Sequence, residues 1–144
     1  MSQEKWAALA TLNIAFFLLA AVMEKKLGMH LMGHDIFNSW GKIRRVGPYD
    51  LIIADPPSYQ KGSFVATKDY PRLLRRLPDL LLPGGLALIC LNAPEMPESF
   101  LREALAREAP MLEVEQRLPN PPAFADASPD RALKVLVARM PPLP

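Results

Sequence analysis

The sequence is poor in the residues that build metal centres and disulfide frameworks. Its 144 residues include one cysteine, Cys90, and two histidines, His30 and His34. A single cysteine excludes an internal disulfide and is typical of a reducing compartment, and two neighbouring histidines offer no zinc-ligand spacing. The sequence therefore predicts a cytoplasmic protein without a metal centre.

An excess of charge of one sign is also missing. The net charge is +2 and both signs are mixed along the chain, so charge alone does not indicate nucleic-acid binding. Half of the residues are hydrophobic and 22% are charged, which suits a packed core and excludes wholesale disorder. A chain of this length is one domain or a part of a larger one.

One long apolar stretch, residues 6–23, carries no charge and is flanked by charged residues at 4–5 and 24–26. A membrane-spanning helix needs roughly 20 mostly apolar residues, with a lower limit of about 17, so this stretch is a borderline span. It is also similar to a signal-peptide core, although no small-residue cleavage site follows Met23. We favour a helix packed on a sheet, because the downstream sequence is typical of a cytosolic enzyme.

The rest of the chain alternates between strand and helix patterns. A continuous apolar run at residues 51–54 predicts a strand that is buried on both faces. The order of the elements predicts an α/β fold with a parallel sheet and an antiparallel edge hairpin. The expected strands cover residues 30–37 (turning at Asp35), 50–55, 86–91, 112–118 and 132–138, the expected helices residues 67–82 (interrupted at Pro78) and 98–109, and the connections residues 38–49, 58–66, 83–85 and 119–130.

Residues 55–59, Asp-Pro-Pro-Ser-Tyr, are the stretch most indicative of function. The prolines end the strand, and ligands of open parallel sheets lie at the carboxyl ends of the strands. Fixed by the prolines, a neighbouring carbonyl can accept a hydrogen bond from an amino group and align it with a methyl donor. Asp55 can accept a second hydrogen bond or a departing proton, and Tyr59 can stack on an unstacked base. The simpler alternative is a strand-ending turn without chemistry.

These residues resemble the fourth motif of class I S-adenosylmethionine-dependent methyltransferases that act on RNA or DNA bases. Three further segments strengthen the resemblance: Gly-His-Asp-Ile-Phe at 33–37, Gln-Lys-Gly-Ser at 60–63 and Leu-Pro-Gly-Gly at 82–85. Together they resemble the catalytic domain of bacterial large-subunit ribosomal RNA methyltransferases. The resemblance covers residues 30–140 and implies a Rossmann-like fold, S-adenosyl-L-methionine as cofactor, and RNA, specifically 23S rRNA, as substrate.

The resemblance also implies roles for individual residues. Asp35 is the cofactor-side acid near the adenine. Asp55 and Pro56 face the methyl group and the target atom, with Asp55 also on the cofactor side, and Pro57 shapes the turn. The substrate-binding residues are Ser58, Tyr59, Lys61 and Asn92.

The expected target atom is a nitrogen. Asn92 occupies the place where a relative that methylates carbon needs a nucleophilic cysteine. Cys90 precedes it by two residues and is expected to be a small buried hydrophobic side chain. His34 is a candidate base, although a histidine at a strand end is more often a surface side chain.

The sequence departs from the family at its N-terminal side. A full domain of this type begins with a strand, a glycine-rich loop that wraps the cofactor, and a second strand ending in an acid. Neither the first strand with its glycine-rich loop nor the second strand with its acid precedes Asp35. Gly28 is the only glycine among the first 32 residues. We therefore expect residues 1–144 to be a single partial catalytic domain lacking the first two strands, with residues 1–29 as the helix before the third.

Three functions remain open. The first is an RNA methyltransferase that is truncated, or split and completed by a chain supplying the N-terminal half. The second is a catalytically inactive RNA-binding remnant. The third, which we expect least, is a small protein anchored in a membrane through residues 6–23. The basic surface of the RNA-binding remnant would be formed by Lys42, Arg44, Arg45, Lys61, Lys68, Arg72, Arg75 and Arg76.

Overall fold

The structure is a computed structural model that describes residues 32–62, 64–120, 128 and 131–143. The chain divides into two units, residues 1–36 and 37–144. Of the first unit, the described part is an exposed stretch from Met32 to Ile36. The domain boundaries expected at residues 1–29 and the apolar stretch at 6–23 lie outside the described residues.

A mixed sheet organises the second unit, and within the described residues it has four strands in the order β1-β4-β6-β5. β1 (Tyr49–Ala54) pairs in parallel with β4 (Leu81–Leu91). β6 (Lys134–Arg139) pairs antiparallel with both β4 and β5 (Glu113–Leu118). The parallel sheet with an antiparallel edge hairpin agrees with the sequence prediction.

The remaining elements connect these strands. A 3₁₀ helix (Ile36–Asn38) and α1 (Trp40–Val46) precede β1. A short antiparallel ladder of β2 (Tyr59–Gln60) and β3 (Phe64–Val65) follows β1 and leads into α2 (Ala66–Leu74). Helix α3 (Glu98–Glu108) lies between β4 and β5 in sequence.

The hydrophobic core lies between one face of the sheet and helices α2 and α3. Ala87, Ile89 and Leu91 alternate along β4 and are 0%, 1% and 1% exposed. Leu74 of α2 and Leu105 of α3 belong to the same buried cluster. Because alternate residues of a strand share one face, this face of β4 packs against the helices.

Strand β1 has one covered face and one exposed face. Ala54 is 7% exposed and Ile52 packs against the core, whereas Leu51 and Ile53 are 50% and 63% exposed. The prediction that this strand is buried on both faces is therefore wrong for the face of Leu51 and Ile53. Within the described residues β1 pairs with β4 alone, so it forms one edge of the sheet.

Helix α2 ends earlier than its leucine spacing predicts. The predicted helix over residues 67–82 stops at Leu74, and hydrogen-bonded turns follow it. The amide of Leu77 donates to the carbonyl of Leu74 at 3.1 Å, and Pro78 has no N–H to donate there. The leucines predicted to be buried are buried, although they belong to a helix, a turn and the start of β4: Leu73, Leu74, Leu77, Leu80 and Leu81.

The glycine pair that was predicted to form a turn lies inside β4. Gly84 has a φ of +81°, and its amide donates to the carbonyl of Met140 at 2.9 Å. A Cβ atom on Gly85 would lie 2.9 Å from the carbonyl oxygen of Leu82 and 3.1 Å from that of Tyr49. β1 and β4 therefore approach each other closely at this point, and the β1 register shifts between Tyr49 and Leu51.

Two predictions upstream of β1 are wrong. Residues 32–35, the described start of the predicted strand over 30–37, have no regular structure. The predicted polar connection over 38–49 contains α1, whose last turn carries Arg44 and Arg45 where cations favour a helix C-terminus. A seven-residue helix is too short to show a full apolar period, which explains why the pattern did not reveal it.

The later elements agree with prediction to within two residues. α3 matches the helix predicted over 98–109, and β5 and β6 match the strands predicted over 112–118 and 132–138. In the described part of the chain, no helix has the length and apolar character needed to cross a membrane.

Candidate active site

The residues that follow β1 emerge at the carboxyl edge of the sheet. Ala54, the last residue of β1, is 7% exposed, and the next residue, Asp55, is exposed. Pro56 is half-buried and Pro57 is exposed. The two prolines leave no amide to continue the β1 ladder, so the chain turns away from the sheet here. Asp55 therefore presents its carboxylate at the edge where ligands of parallel sheets bind.

The end of β4 lies beside this loop. Ala54 pairs with Ile89, and β4 ends two residues later at Leu91, followed by the exposed Asn92. The hydroxyl of Ser58 donates a hydrogen bond to the carbonyl oxygen of Asn92. The structure thus brings together two of the residues predicted to bind substrate. The contact uses the main chain of Asn92.

Two further side chains hold the last two residues of β4 and the two residues that follow, a segment that we call the 90–93 turn. The hydroxyl of Tyr70 in α2 donates to the carbonyl of Cys90, and the ammonium of Lys134 in β6 donates to the carbonyl of Ala93 at 2.8 Å. With Ser58, three side chains from three parts of the chain fix carbonyl groups of the 90–93 turn. Fixed carbonyls give a site a rigid backbone from which an acceptor can be positioned.

Sequence reasoning missed both Tyr70 and Lys134. Lys134 is 1% exposed and lies in the apolar run of β6. A cation inside a buried strand needs a polar partner, so its position was a signal that could have been used. Tyr70 gave no such signal, because a tyrosine among helical leucines is compatible with plain core packing.

The surroundings of Tyr70 and Cys90 raise the pKa of both side chains and so favour their neutral forms. Burial raises the pKa of Tyr70 far above its ordinary value, and the electrostatic interactions with Cys90 and then Asp55 add to this effect. Burial, and then Asp55, raises the pKa of the Cys90 thiol as well. Cys90 is 9% exposed, and its thiol stays protonated near neutral pH. It is the buried hydrophobic residue that the sequence predicted.

The β2–β3 ladder carries Tyr59 beside the Asp55 loop. Tyr59 pairs with Val65 and is 68% exposed, and Lys61 in the connecting turn is exposed. Gly62, in the turn between β2 and β3, has a φ of +77°, a left-handed conformation that glycine adopts more easily than residues with a side chain. The amide of Ala66 donates to the carbonyl of Ser58 at 3.0 Å, which joins the ladder to the loop.

Asp69 secures the start of α2, directly after this ladder. Its carboxylate accepts hydrogen bonds from the amide of Val65 at 2.8 Å and from Arg72 at 2.7 Å. The Val65 amide, and then the Arg72 guanidinium, hold the pKa of Asp69 below its ordinary value, against the opposing effect of burial. Asp69 is 6% exposed, so this is a structural carboxylate.

Asp35 and His34 belong to the first unit of the chain, and both are exposed. The cofactor role predicted for Asp35 therefore stays a prediction. The same holds for His34 as a base.

The basic surface predicted along α2 is largely neutralised by carboxylates. Arg72 contacts Asp69 at 2.7 Å, and Arg75 contacts Glu108 at 2.6 Å. Arg72 also lies 4.0 Å from the centre of the Phe37 ring, a cation–π contact. These contacts join α2 and its C-terminal end to the 3₁₀ helix and to α3, which lowers the charge that the two arginines offer to an RNA backbone.

Both the sequence and the structure of this chain are similar to those of known proteins. A family model described as S-adenosylmethionine-dependent methyltransferase matches residues 22–139. The chain belongs to this family. The crystal structure of SMU.776 complexed with SAH matches with a TM-score of 0.66 and 24% identity, over 85% of this chain and 36% of that one.

A second structure gives the methyltransferase family further support. A protein from Streptococcus mutans, assigned as S-adenosylmethionine-dependent methyltransferase, matches with a TM-score of 0.61 and 27% identity over 74% of this chain. The chain spans about a third of the length of these two proteins, 36% of one and 29% of the other. No curated protein sequence matches it. The class I methyltransferase resemblance and its α/β fold are confirmed.

The cofactor of the family is S-adenosylmethionine. Asp55 fits its methyl-donor end, because an exposed carboxylate suits a cationic sulfonium and an amino group. The nucleoside end fits less well, since none of the three strands that end at this edge in the described residues, β1, β4 and β5, is followed by a glycine-rich loop. The described residues thus suit the acceptor side of a methyl-transfer site. Across the same described residues, no cluster of three or more His, Cys, Asp or Glu side chains could hold a metal ion.

Proposed function

We propose that this chain supplies the acceptor side of a site that transfers a methyl group from S-adenosylmethionine to a nitrogen of an RNA base, with large-subunit rRNA as the substrate. The observation that carries the proposal is the hydrogen bond from Ser58 to the carbonyl of Asn92. It joins the loop after β1 to the turn after β4 at the carboxyl edge of the sheet. Asp55 and Asn92 are both exposed there.

Asp55 and the Pro56 carbonyl orient the acceptor. An exocyclic amino group has two N–H bonds, so it can donate one to the carboxylate and one to the carbonyl. Its lone pair is then aligned with the methyl group, which the sulfonium of the cofactor supplies. Asp55 takes the proton that the nitrogen loses after transfer.

The side chains around Asp55 suit an extruded base. Tyr59 offers an exposed ring on which a base can stack, and Lys61 offers an exposed cation for the RNA backbone. Asn92 can donate to and accept from a base edge. The burial of Cys90 supports a nitrogen target, since methylation of pyrimidine carbon 5 needs a cysteine thiolate that reaches the base.

We also propose that the nucleoside side of the site comes from a polypeptide segment that pairs with β1. In the described residues β1 pairs on one side only, and an unpaired strand edge is a template for strand addition. Leu51 and Ile53 are half or more exposed on one face of β1, so the added segment would also have an apolar face to pack against. The 36% coverage of SMU.776 leaves room in that fold for such a segment. A second chain that supplies the missing N-terminal half of the domain would provide this segment.

The test is genetic complementation in the source organism, because it retains any partner that the chain needs. Mass spectrometry of rRNA nucleosides from a deletion strain should show the loss of one N-methylated base. Wild type and Asp79→Asn, an exposed carboxylate that contacts Arg76, should restore it. Asp55→Asn should lower the methylation rate by at least about 100-fold, and the methylated base should fall accordingly. Unchanged N-methylation in the deletion strain would sink the proposal.

The same assay tests the β1 partner. Ile53→Lys should fail to restore the methylated base, whereas Ile53→Val keeps an apolar side chain and should restore it. Equal restoration by both variants would contradict pairing along β1.

An inactive RNA-binding remnant is the second candidate, and it depends on basic residues away from the arginines of α2. Lys42, Arg44, Lys61 and Lys68 are exposed. This alternative predicts that the protein binds RNA in a salt-sensitive way and that the deletion strain shows no change in rRNA methylation. A cytoplasmic location and the membrane alternative remain predictions, and cell fractionation separates them.

A further inference from the structure

A cavity of about 220 Å³ opens between the start of α3 and the β5–β6 hairpin. Four residues line it: Pro97, Glu98, Arg117 and Lys134. The volume is below the roughly 300 Å³ at which pockets for drug-sized ligands begin, so it suits a small group rather than a nucleoside.

The charges at this cavity are mostly positive. The carboxylate of Glu98 contacts Arg117 at 3.1 Å and Arg102 at 2.6 Å. Lys134, 1% exposed, also lines the cavity. The charged side chains that line the cavity are therefore two cations, Arg117 and Lys134, and one carboxylate, Glu98. An anion in the cavity would be attracted by these two cations, and it would compete with Glu98 for Arg117.

The cavity lies at the same edge of the sheet as the candidate active site. Lys134 pairs with Leu91, the last residue of β4, and donates to the carbonyl of Ala93. Ala93 directly follows Asn92, whose carbonyl binds Ser58. The cation cluster is thus linked through the 90–93 turn to the loop that carries Asp55.

We propose that this cavity binds a phosphate group, namely a backbone phosphate of the RNA strand next to the base that enters the candidate active site. Arginine binds phosphate oxygens through two parallel N–H groups, and lysine adds a compact charge. Phosphate contacts of this kind fix the register of a nucleic acid without reading its sequence. The assignment to RNA rests on the proposed function, while the affinity for phosphate does not.

The test begins with inorganic phosphate titrated into the full chain without cofactor, followed by NMR of the arginine Nε–Hε signals. The Arg117 signal should shift and saturate. Arg117→Gln should weaken phosphate binding at least about tenfold, since it removes a charge-assisted hydrogen bond. Arg117→Lys should recover part of the affinity. The matched control is Arg75→Gln, which removes an exposed arginine that also pairs with a glutamate, Glu108, and should change nothing.

Glu98→Gln distinguishes a binding site from a purely structural ion cluster. Removing the competing carboxylate should tighten phosphate binding several-fold, whereas a structural cluster would loosen and bind no better. Weaker binding in Glu98→Gln, or equal shifts of the Arg75 and Arg117 signals, would overturn the proposal.

A second arm identifies the source of the phosphate. A single-stranded RNA hexamer should bind the full chain more tightly than inorganic phosphate does, and Arg117→Gln should reduce its affinity. RNA binding that Arg117→Gln leaves unchanged would overturn the RNA assignment. Loss of methylation in Asp55→Asn with phosphate binding intact separates this proposal from the proposed function.

Discussion

The two edges of the main sheet differ in how well they are protected against the addition of a further strand. β5 carries exposed charged residues, among them Glu113, Glu115 and Arg117, and its register shifts between Val114 and Gln116. Glu115 also forms an ion pair with Arg139 of β6. Charges and bulges on an edge strand discourage the addition of a further strand.

β1 lacks this protection on its outer part. Its exposed residues include Leu51 and Ile53, at 50% and 63%. Asp50 is the only charged residue within β1. One edge of this sheet is thus built to remain an edge, and the other has the composition of a strand that is normally covered.

The first prediction compares two isoleucines on neighbouring strands. Ile89→Ala in β4 should lower the free energy of unfolding by about 2–5 kcal/mol, because Ile89 is 1% exposed and its loss leaves a cavity. Ile53→Ala in β1 should cost less than about 1 kcal/mol, because that side chain is 63% exposed. Urea unfolding of both variants measures the difference. Equal costs would mean that Ile53 is already covered in solution.

The second prediction concerns the junction of β1 and β4. Gly85→Ala should destabilise the protein by about 1–3 kcal/mol, because its Cβ would lie 2.9 Å from the Leu82 carbonyl oxygen. Gly41→Ala in α1 is the matched control: nothing lies within 4 Å of its Cβ position, and it should stabilise by up to about 1 kcal/mol. Thermal unfolding of the two variants gives the comparison, and a stable Gly85→Ala protein would refute the close approach of the strands.

The third prediction compares the carboxylates near the two edges. The pKa of Asp69, on the β1 side, lies below its ordinary value because of the Val65 amide and then Arg72. Its stabilisation is therefore complete above the unfolded pKa of about 3.9 and is lost as the pH falls towards the folded value. Asp69→Asn should cost about 1 kcal/mol at pH 7 and progressively less below pH ~4.

Glu115→Gln, on the β5 side, is the control for Asp69→Asn. Its ion pair with Arg139 is exposed, so its loss should change stability little, and added salt should remove the difference. Unfolding of both variants across pH and salt provides the check. A larger effect for Glu115→Gln than for Asp69→Asn would reverse the expected order.

Local patterns predicted the parts of the fold in which local and tertiary preferences agree. The leucine spacing between residues 73 and 81 identified the buried side of α2 correctly. It missed the end of the helix, because Pro78 withholds the amide that would continue it. Residues 83–85 were expected to form a turn, yet the amide of Gly84 donates to the carbonyl of Met140, a partner 56 residues away that no local window contains.

The candidate site was predictable to the extent that its residues are neighbours in sequence. The two prolines identified the loop at Asp55. Tyr70 and Lys134 were not predictable in the same way, because their acceptors are main-chain carbonyls 20 and 41 residues away. The apolar pattern of β1 showed which residues favour burial, but it could not show whether anything covers Leu51 and Ile53.

In the site that we propose, the 90–93 turn separates structural support from recognition of the acceptor. Ser58, Tyr70 and Lys134 hold main-chain carbonyls, and the side chain of Asn92 remains exposed on that fixed backbone. A substitution at position 92 can therefore exchange one hydrogen-bonding pattern for another while the surrounding architecture stays in place. Position 92 is where we expect substrate preference to diverge between proteins that share this scaffold, and where redesign for a different base should begin.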